Sequence, residues 1–401
     1  MIKTALALCF LTASSAGAAP ASGRPSRDAI GVMREGVNAY MGARFDEAVQ
    51  LLSESLSMHP GWMTAAGFRA ICLWTTGDLE GARADAKMAI RMRPNSAESY
   101  TARGFAHFVM RDLESASNDF IAAARRGRNY GPAYFGMGSV LSSQERLRDA
   151  LTNLDLAVKL EPNSAAIRIV RGTVYEKTRE FKRAAVDYGK VVKLAPEFQW
   201  ARYYRGRAYR ELKNYPKAII DLSAFLKHNP DYEKALYFRS NAYFLSSDYD
   251  NAVNDLTRIV ALNPKHGLAY ANRGVARYEL GDRTGAFADL EKAKALLPDK
   301  ADKIQAQIEN LRSQPLEAEA PDSAPMKGAS SVPPAPASPL RPQDIPVEPL
   351  PDELPEDKPR FAVQKEDLKR KRKGKAVPAT LPGEVQPDEN DEEGGDFMFI
   401  R

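Results

Sequence analysis

The sequence predicts an all-α fold. It reads as an α-solenoid of eight 34-residue helix–turn–helix repeats over residues 29–300, a capping helix over 301–314, and a disordered, Pro-rich acidic tail over 315–401. Three observations predict it. Prolines recur every 34 residues at Pro60, Pro94, Pro162, Pro196, Pro230, Pro264 and Pro298, with one double step across Arg128. With that proline counted as position 32, position 20 is alanine in all eight repeats and position 8 is glycine in six, alanine or serine in the others. A fixed period of this length marks a stacked repeat array. Lastly, 16 of the 27 prolines follow residue 314, which sets the last 87 residues apart from the body.

The first element in chain order is a targeting segment. Lys3 supplies a short positive region, residues 4–12 an apolar stretch, and Ala16-Gly17-Ala18 a small-residue cleavage site. Residues 1–18 therefore read as a secretory signal peptide, too short to span a bilayer, followed by a linker over 19–28. Cys9 lies inside the apolar stretch behind Leu8, which argues against lipid attachment. Cys72 is then the one cysteine of the mature chain, so no intrachain disulfide forms. The expected location is exported, periplasmic or secreted, with no transmembrane segment after cleavage.

Within each repeat, small residues at positions 8 and 20 let two antiparallel helices approach. Larger apolar residues at position 24, such as Leu154, Tyr188, Leu222, Leu256 and Leu290, fill the space beside them. Glycine or a polar pair near position 15 makes the turn, as in Thr76-Gly77-Asp78 and Leu280-Gly281-Asp282. Proline at position 32 stops the second helix, because it cannot continue the hydrogen-bond ladder. No repeat buries its apolar face alone, so neighbours stack. After the eighth, Ile304, Ile308 and Leu311 continue a helical pattern that would cover the last apolar face.

These residues resemble the tetratricopeptide repeat family. Ala269-Tyr270-Ala271-Asn272-Arg273-Gly274-Val275-Ala276, followed by Ala286, Leu290 and Pro298, is very like its consensus. The first repeat is looser, with Glu35 where most have arginine, and the third lacks its proline. The resemblance implies a right-handed superhelix whose concave face, lined by the first helix of each repeat, holds a protein or peptide. Positions 2, 5, 9 and 12 would face that groove. Those singled out are Trp74, Phe105, Phe108 and Phe135 in the early repeats, and Trp200, Tyr203, Arg207, Arg210, Tyr237, Asn241, Phe244 and Tyr278 in the later ones. They either line the groove or pack between neighbouring helices. The family's carboxylate clamp is not met: Asn241 and Asn272 are present, but no lysine occupies position 5.

Position 7 carries a stripe of Arg69, Arg103, Arg171, Arg205, Arg239 and Arg273. Position 23 of the same six repeats is Asp85, Asp119, Asp187, Asp221, Asp255 and Asp289. The two repeats without that arginine, with Glu35 and Met137, also lack the aspartate, with Leu51 and Asn153. Antiparallel packing puts positions 7 and 23 at one height. The stripe therefore reads as internal Arg–Asp pairs rather than a nucleic-acid surface.

No catalytic constellation is present. The four histidines His59, His107, His228 and His266 are scattered without metal-ligand spacing, and Cys72 reads as a small core residue. There is no GxSxG, P-loop or Gly-rich dinucleotide turn. His59-Pro60-Gly61 is not the His-Pro-Asp of a J domain. The expectation is a non-enzyme without metal or cofactor.

Charge divides the chain. Residues 20–314 carry 44 Lys+Arg against 34 Asp+Glu, and residues 315–401 carry 12 against 18. Within the tail a basic run, Lys369-Arg370-Lys371-Arg372-Lys373-Gly374-Lys375, would touch an anionic envelope surface or an acidic protein, or stay solvated. The acidic run from Asp388 to Glu393 precedes an apolar end with Phe397, Met398, Phe399 and Ile400, the form of a short docking peptide. It either competes for the basic groove or remains a free tail. The leading functional reading is a protein- or peptide-binding scaffold of a cell-envelope complex. The alternatives are a regulatory or carrier subunit of an envelope enzyme or secretion machine and, more weakly, nucleic-acid binding through the basic run.

Overall fold

The computed structural model describes residues 24–314, and every element there is helical. The signal segment 1–18, residues 19–23 of the linker and the whole tail lie outside the described residues. Repeat 1 is α1 (Arg27–Met41) and α2 (Phe45–Met58), repeat 2 α3 (Met63–Thr76) and α4 (Leu79–Ala89). Repeat 3 is α5 (Ala97–Val109) and α6 (Leu113–Arg126), repeat 4 α7 (Gly131–Ser143) and α8 (Leu147–Leu160), and repeat 5 α9 (Ala165–Lys177) and α10 (Phe181–Leu194). Repeat 6 is α11 (Trp200–Glu211) and α12 (Tyr215–His228), repeat 7 α13 (Glu233–Leu245) and α14 (Tyr249–Leu262), and repeat 8 α15 (Gly267–Glu279) and α16 (Arg283–Leu296). A short 3₁₀ turn, Pro298–Lys300, leads into α17 (Ala301–Ser313). The helices form two compact units that meet in sequence at Phe198 and Gln199: repeats 1–5, and repeats 6–8 with α17.

Local chemistry sets the boundaries. Helix α1 starts two residues before the repeat count because the Ser26 hydroxyl accepts the Ala29 N–H, satisfying a donor that the first turn leaves open. Asp78, Asp112, Asn214, Asp248 and Asp282 cap second helices in the same way. In six repeats the second helix ends two residues before its proline, where the residue ahead of proline is pushed out of the helical region. Helix α6 ends at the same position, Arg126, with no proline following; there a Gly127–Tyr130 turn closes it. Helix α4 stops three residues earlier, at Ala89.

The position-20 alanines are all fully buried where paired helices cross. A Cβ on Gly104 would sit 2.8 Å from the Phe120 ring, and one on Gly274 would sit 2.9 Å from Leu290 Cγ. Positions 8 and 24 are thus one tight contact, as their sizes predict. In the first unit α3 and α5 also pack directly on each other, and a Cβ on Gly67 would meet the Ala102 carbonyl oxygen at 2.4 Å. Helix α1 reaches α9, where the Ser164 hydroxyl donates to the Met41 carbonyl at 2.9 Å. In the second unit Ile304, Ile308 and Leu311 of α17 are buried against Ala271, Val275, Leu290 and Ala293.

Candidate protein-binding site

The arginine stripe is used inside the repeats. Each of the six guanidinium groups donates two parallel hydrogen bonds to its position-23 carboxylate. Examples are Arg69 to Asp85 at 2.6 and 2.9 Å, Arg205 to Asp221 at 2.6 and 2.7 Å, and Arg273 to Asp289 at 2.7 and 2.7 Å. The six aspartates are buried. In four repeats the remaining guanidinium nitrogen reaches back to position 25 of the preceding repeat: Ser53, Asp155, Ser223 or Thr257. In these four repeats the arginine therefore ties the repeat to its predecessor as well as setting its own register. Burial works against the charge of Arg171, Arg205 and Arg239, but the hydrogen bonds and charge of the facing aspartates outweigh it and hold their pKa above the ordinary arginine value.

In the first unit the proposed groove is largely filled. Phe105 and Phe135 are buried, and they do not line an open face. Phe105 packs tilted or edge-on against Phe68 at 6.2 Å, Phe120 at 5.2 Å and Phe135 at 6.0 Å, and Tyr40 lies 6.3 Å from Phe135. The close approach of α3 and α5 brings these rings together. Trp74 remains exposed, edge-on to half-buried Phe108 at 5.7 Å. What stays open is a cleft of about 790 Å³ along α1 and the turns that follow α6, α8 and α10. Met33, Val37, Phe68 and Phe198 give it apolar walls, and Arg34, Glu98 and Glu161 give it charge. Arg34 donates to Glu98 at 2.9 Å. Burial pushes the Glu161 carboxyl above the ordinary glutamate range.

In the second unit Trp200, Tyr203, Arg207 and Arg210 gather around Phe225, Tyr232 and Phe238. Trp200 packs on Phe225, Tyr232 and Tyr203 at 5.1, 5.2 and 5.6 Å. Tyr203 is buried. Arg207 lies 5.6 Å from the Tyr203 ring and 5.4 Å from Phe238, and Arg210 lies 4.7 Å from Phe238 and pairs with Glu211. Tyr237 accepts a hydrogen bond from Asn272 at 3.1 Å and stacks on His266. Asn241 is fully buried, and among the described residues neither its amide nitrogen nor its oxygen has a hydrogen-bond partner. Phe244 meets Tyr249 edge-on at 5.1 Å. Tyr278 is turned to the cap, donating to the Leu311 carbonyl at 2.9 Å.

Sequence reasoning passed over Phe238, at position 6, which receives both arginines. It also passed over Met33, Val37 and Glu98, which stand at positions 5, 9 and 2 of their repeats. Burial pushes the Cys72 thiol far above its ordinary range, which fits a core residue. Among the described residues no three His, Cys, Asp or Glu side chains are placed to hold a metal ion, and no helix is long and apolar enough to cross a membrane.

The chain matches the tetratricopeptide repeat family over residues 34–97, 135–197, 170–233, 205–256 and 239–301, and it belongs to that family. Among solved structures it is similar to the APC/C hetero-tetramer Cut9–Hcn1, at 13% identity and a TM-score of 0.54, over 70% of this chain and 55% of that one. It is similar to YrrB, described as a TPR protein with an unusual peptide-binding site, at 22% identity and a TM-score of 0.45, over 48% of this chain and 98% of that one. A tetratricopeptide repeat protein from Parabacteroides merdae has 17% identity and a TM-score of 0.39, over 61% of this chain and 96% of that one. No curated protein matches the chain. The repeat fold supports a protein–protein interaction scaffold, and proteins of this kind are generally non-catalytic.

Proposed function

We propose that this protein is an exported scaffold that holds a partner protein on the first-helix face of repeats 6–8 and takes part in organising a cell-envelope complex. The observation that carries the binding reading is the placement of Arg207 and Arg210 against the aromatic rings of Tyr203 and Phe238. Stacked guanidinium groups offer donors to carboxylates, and the rings offer apolar area at low entropy cost. The preferred ligand is therefore a segment that mixes acidic and large apolar side chains. The envelope setting is supported by the signal-like residues 1–18 alone.

The test is crosslinking capture from the native envelope with the tagged chain and with its Arg207→Ala, Arg210→Ala variant. A partner held by the wild type and lost by the variant supports the reading. Equal recovery by both refutes it. Stoichiometric capture of one enzyme would assign the scaffold to the regulatory-subunit class.

A further inference from the structure

We propose that the chain's own C-terminal segment, residues 388–401, docks on the first-helix face of repeats 6–8 and occupies it until a partner displaces it. This rests on the reading above and names the occupant of the same site.

Charge complementarity is the first argument. Repeats 6–8 supply twelve side chains at positions 2, 5, 9 and 12; three are basic, Arg207, Arg210 and Lys234, and none is acidic. Glu211, beside Arg210, lies at position 13. Segment 388–401 carries six acidic side chains, then Phe397, Met398, Phe399 and Ile400, and last Arg401. It thus has the acidic and apolar parts that an arginine–aromatic face would take.

The second argument is where the chain leaves the described body. Gln314, the last described residue, has its side-chain oxygen 3.2 Å from the Tyr278 hydroxyl. Tyr278 is position 12 of repeat 8, the register of Phe244 and Arg210 in the two preceding repeats. The tail therefore starts at one edge of the face it would cover. Arg210 on α11 and Tyr278 on α15 are separated by at most about four helix diameters, roughly 40–50 Å. Residues 315–387 lie between Gln314 and the docking segment, a contour several times that distance. Tethering keeps the segment at high effective concentration, so individually weak contacts suffice.

The experiment uses the full chain with a photo-crosslinking phenylalanine analogue at position 399. Adducts are expected within the same chain on α11, α13 or α15. Their yield should be independent of protein concentration, and should fall severalfold in high salt and in the Arg207→Ala, Arg210→Ala variant. Adducts confined to repeats 1–5, adducts only between chains, or a yield indifferent to that variant overturn the proposal. A second variant leaves the folded body intact: Asp388→Asn, Glu389→Gln, Asp391→Asn, Glu392→Gln and Glu393→Gln. Added to this chain, a labelled 388–401 peptide should bind and require Arg207 and Arg210. Peptide binding without adducts in the native chain removes the docked tail and keeps the acidic-segment site. Absence of both removes both.

Discussion

Asp255 is buried and accepts two hydrogen bonds from Arg239, at 2.8 and 2.7 Å, while the same guanidinium reaches Ser223 at 3.0 Å. Removing only the aspartate strands a charge in a partly dry site. Asp255→Ala is expected to lower stability by about 3–5 kcal/mol, and the double change Arg239→Met with Asp255→Leu to recover most of the loss. Urea unfolding midpoints check both; equal losses would mean that the pair is solvated. Glu161 behaves in the opposite sense. Its carboxyl is raised by burial, so the folded chain keeps the proton to higher pH than the unfolded chain. Stability tied to this group is then present below the ordinary glutamate range and is lost as pH rises from that range through the raised pKa of the folded chain. Glu161→Gln is expected to raise the melting temperature at about pH 7 and to leave it unchanged at about pH 3. Asn241 buries an amide that has no hydrogen-bond partner among the described residues, a costly arrangement that an apolar residue of similar shape would relieve. Asn241→Leu is expected to melt at or above the wild-type temperature; a clear loss would reveal a hidden partner for the amide.

At the scale of the element, the turn inside each repeat follows one rule. Position 15 is left-handed in all eight repeats, at Ala43, Gly77, Arg111, Glu145, Arg179, Lys213, Ser247 and Gly281, with φ from 57° to 92°. Only two of these are glycine, the residue that adopts this region without a Cβ penalty. Arg111→Gly and Glu145→Gly are each expected to stabilise the chain by about 1 kcal/mol, read from thermal melts, and Gly281→Ala to cost a similar amount. The periodic Gly-Asp in repeats 2 and 8 pointed to this turn. The other six were not legible, because a left-handed residue is imposed by the helices it joins and leaves no mark in its own side chain. Helix pairing inside a repeat was legible for the converse reason: alanine at 20, glycine at 8 and a large residue at 24 are the contact itself. The Arg–Asp pairing showed in the joint absence of both residues from repeats 1 and 4.

At the scale of the whole molecule, the two units use their first helices differently. Repeats 1–5 turn Phe105 and Phe135 inward, and a carbonyl oxygen meets the place where Gly67 lacks a Cβ. Gly67→Ala is expected to cost about 1–3 kcal/mol, since backbone cannot move aside as a flexible side chain can. Repeats 6–8 keep arginines and rings together on their face, and α17 covers the end of the array.

By itself the sequence determined the class of fold, the number of repeats, the internal use of the arginine stripe and the closing helix. Each of these is a local or one-repeat relation, written in spacing and residue size. Only the tertiary structure decided which repeat positions remain open. Positions 5 and 9 carry the same kinds of residue whether neighbouring first helices close over them or stand apart. That outcome is set by how near two backbones come, as at Gly67 and Ala102, and a repeat read alone does not contain its neighbour.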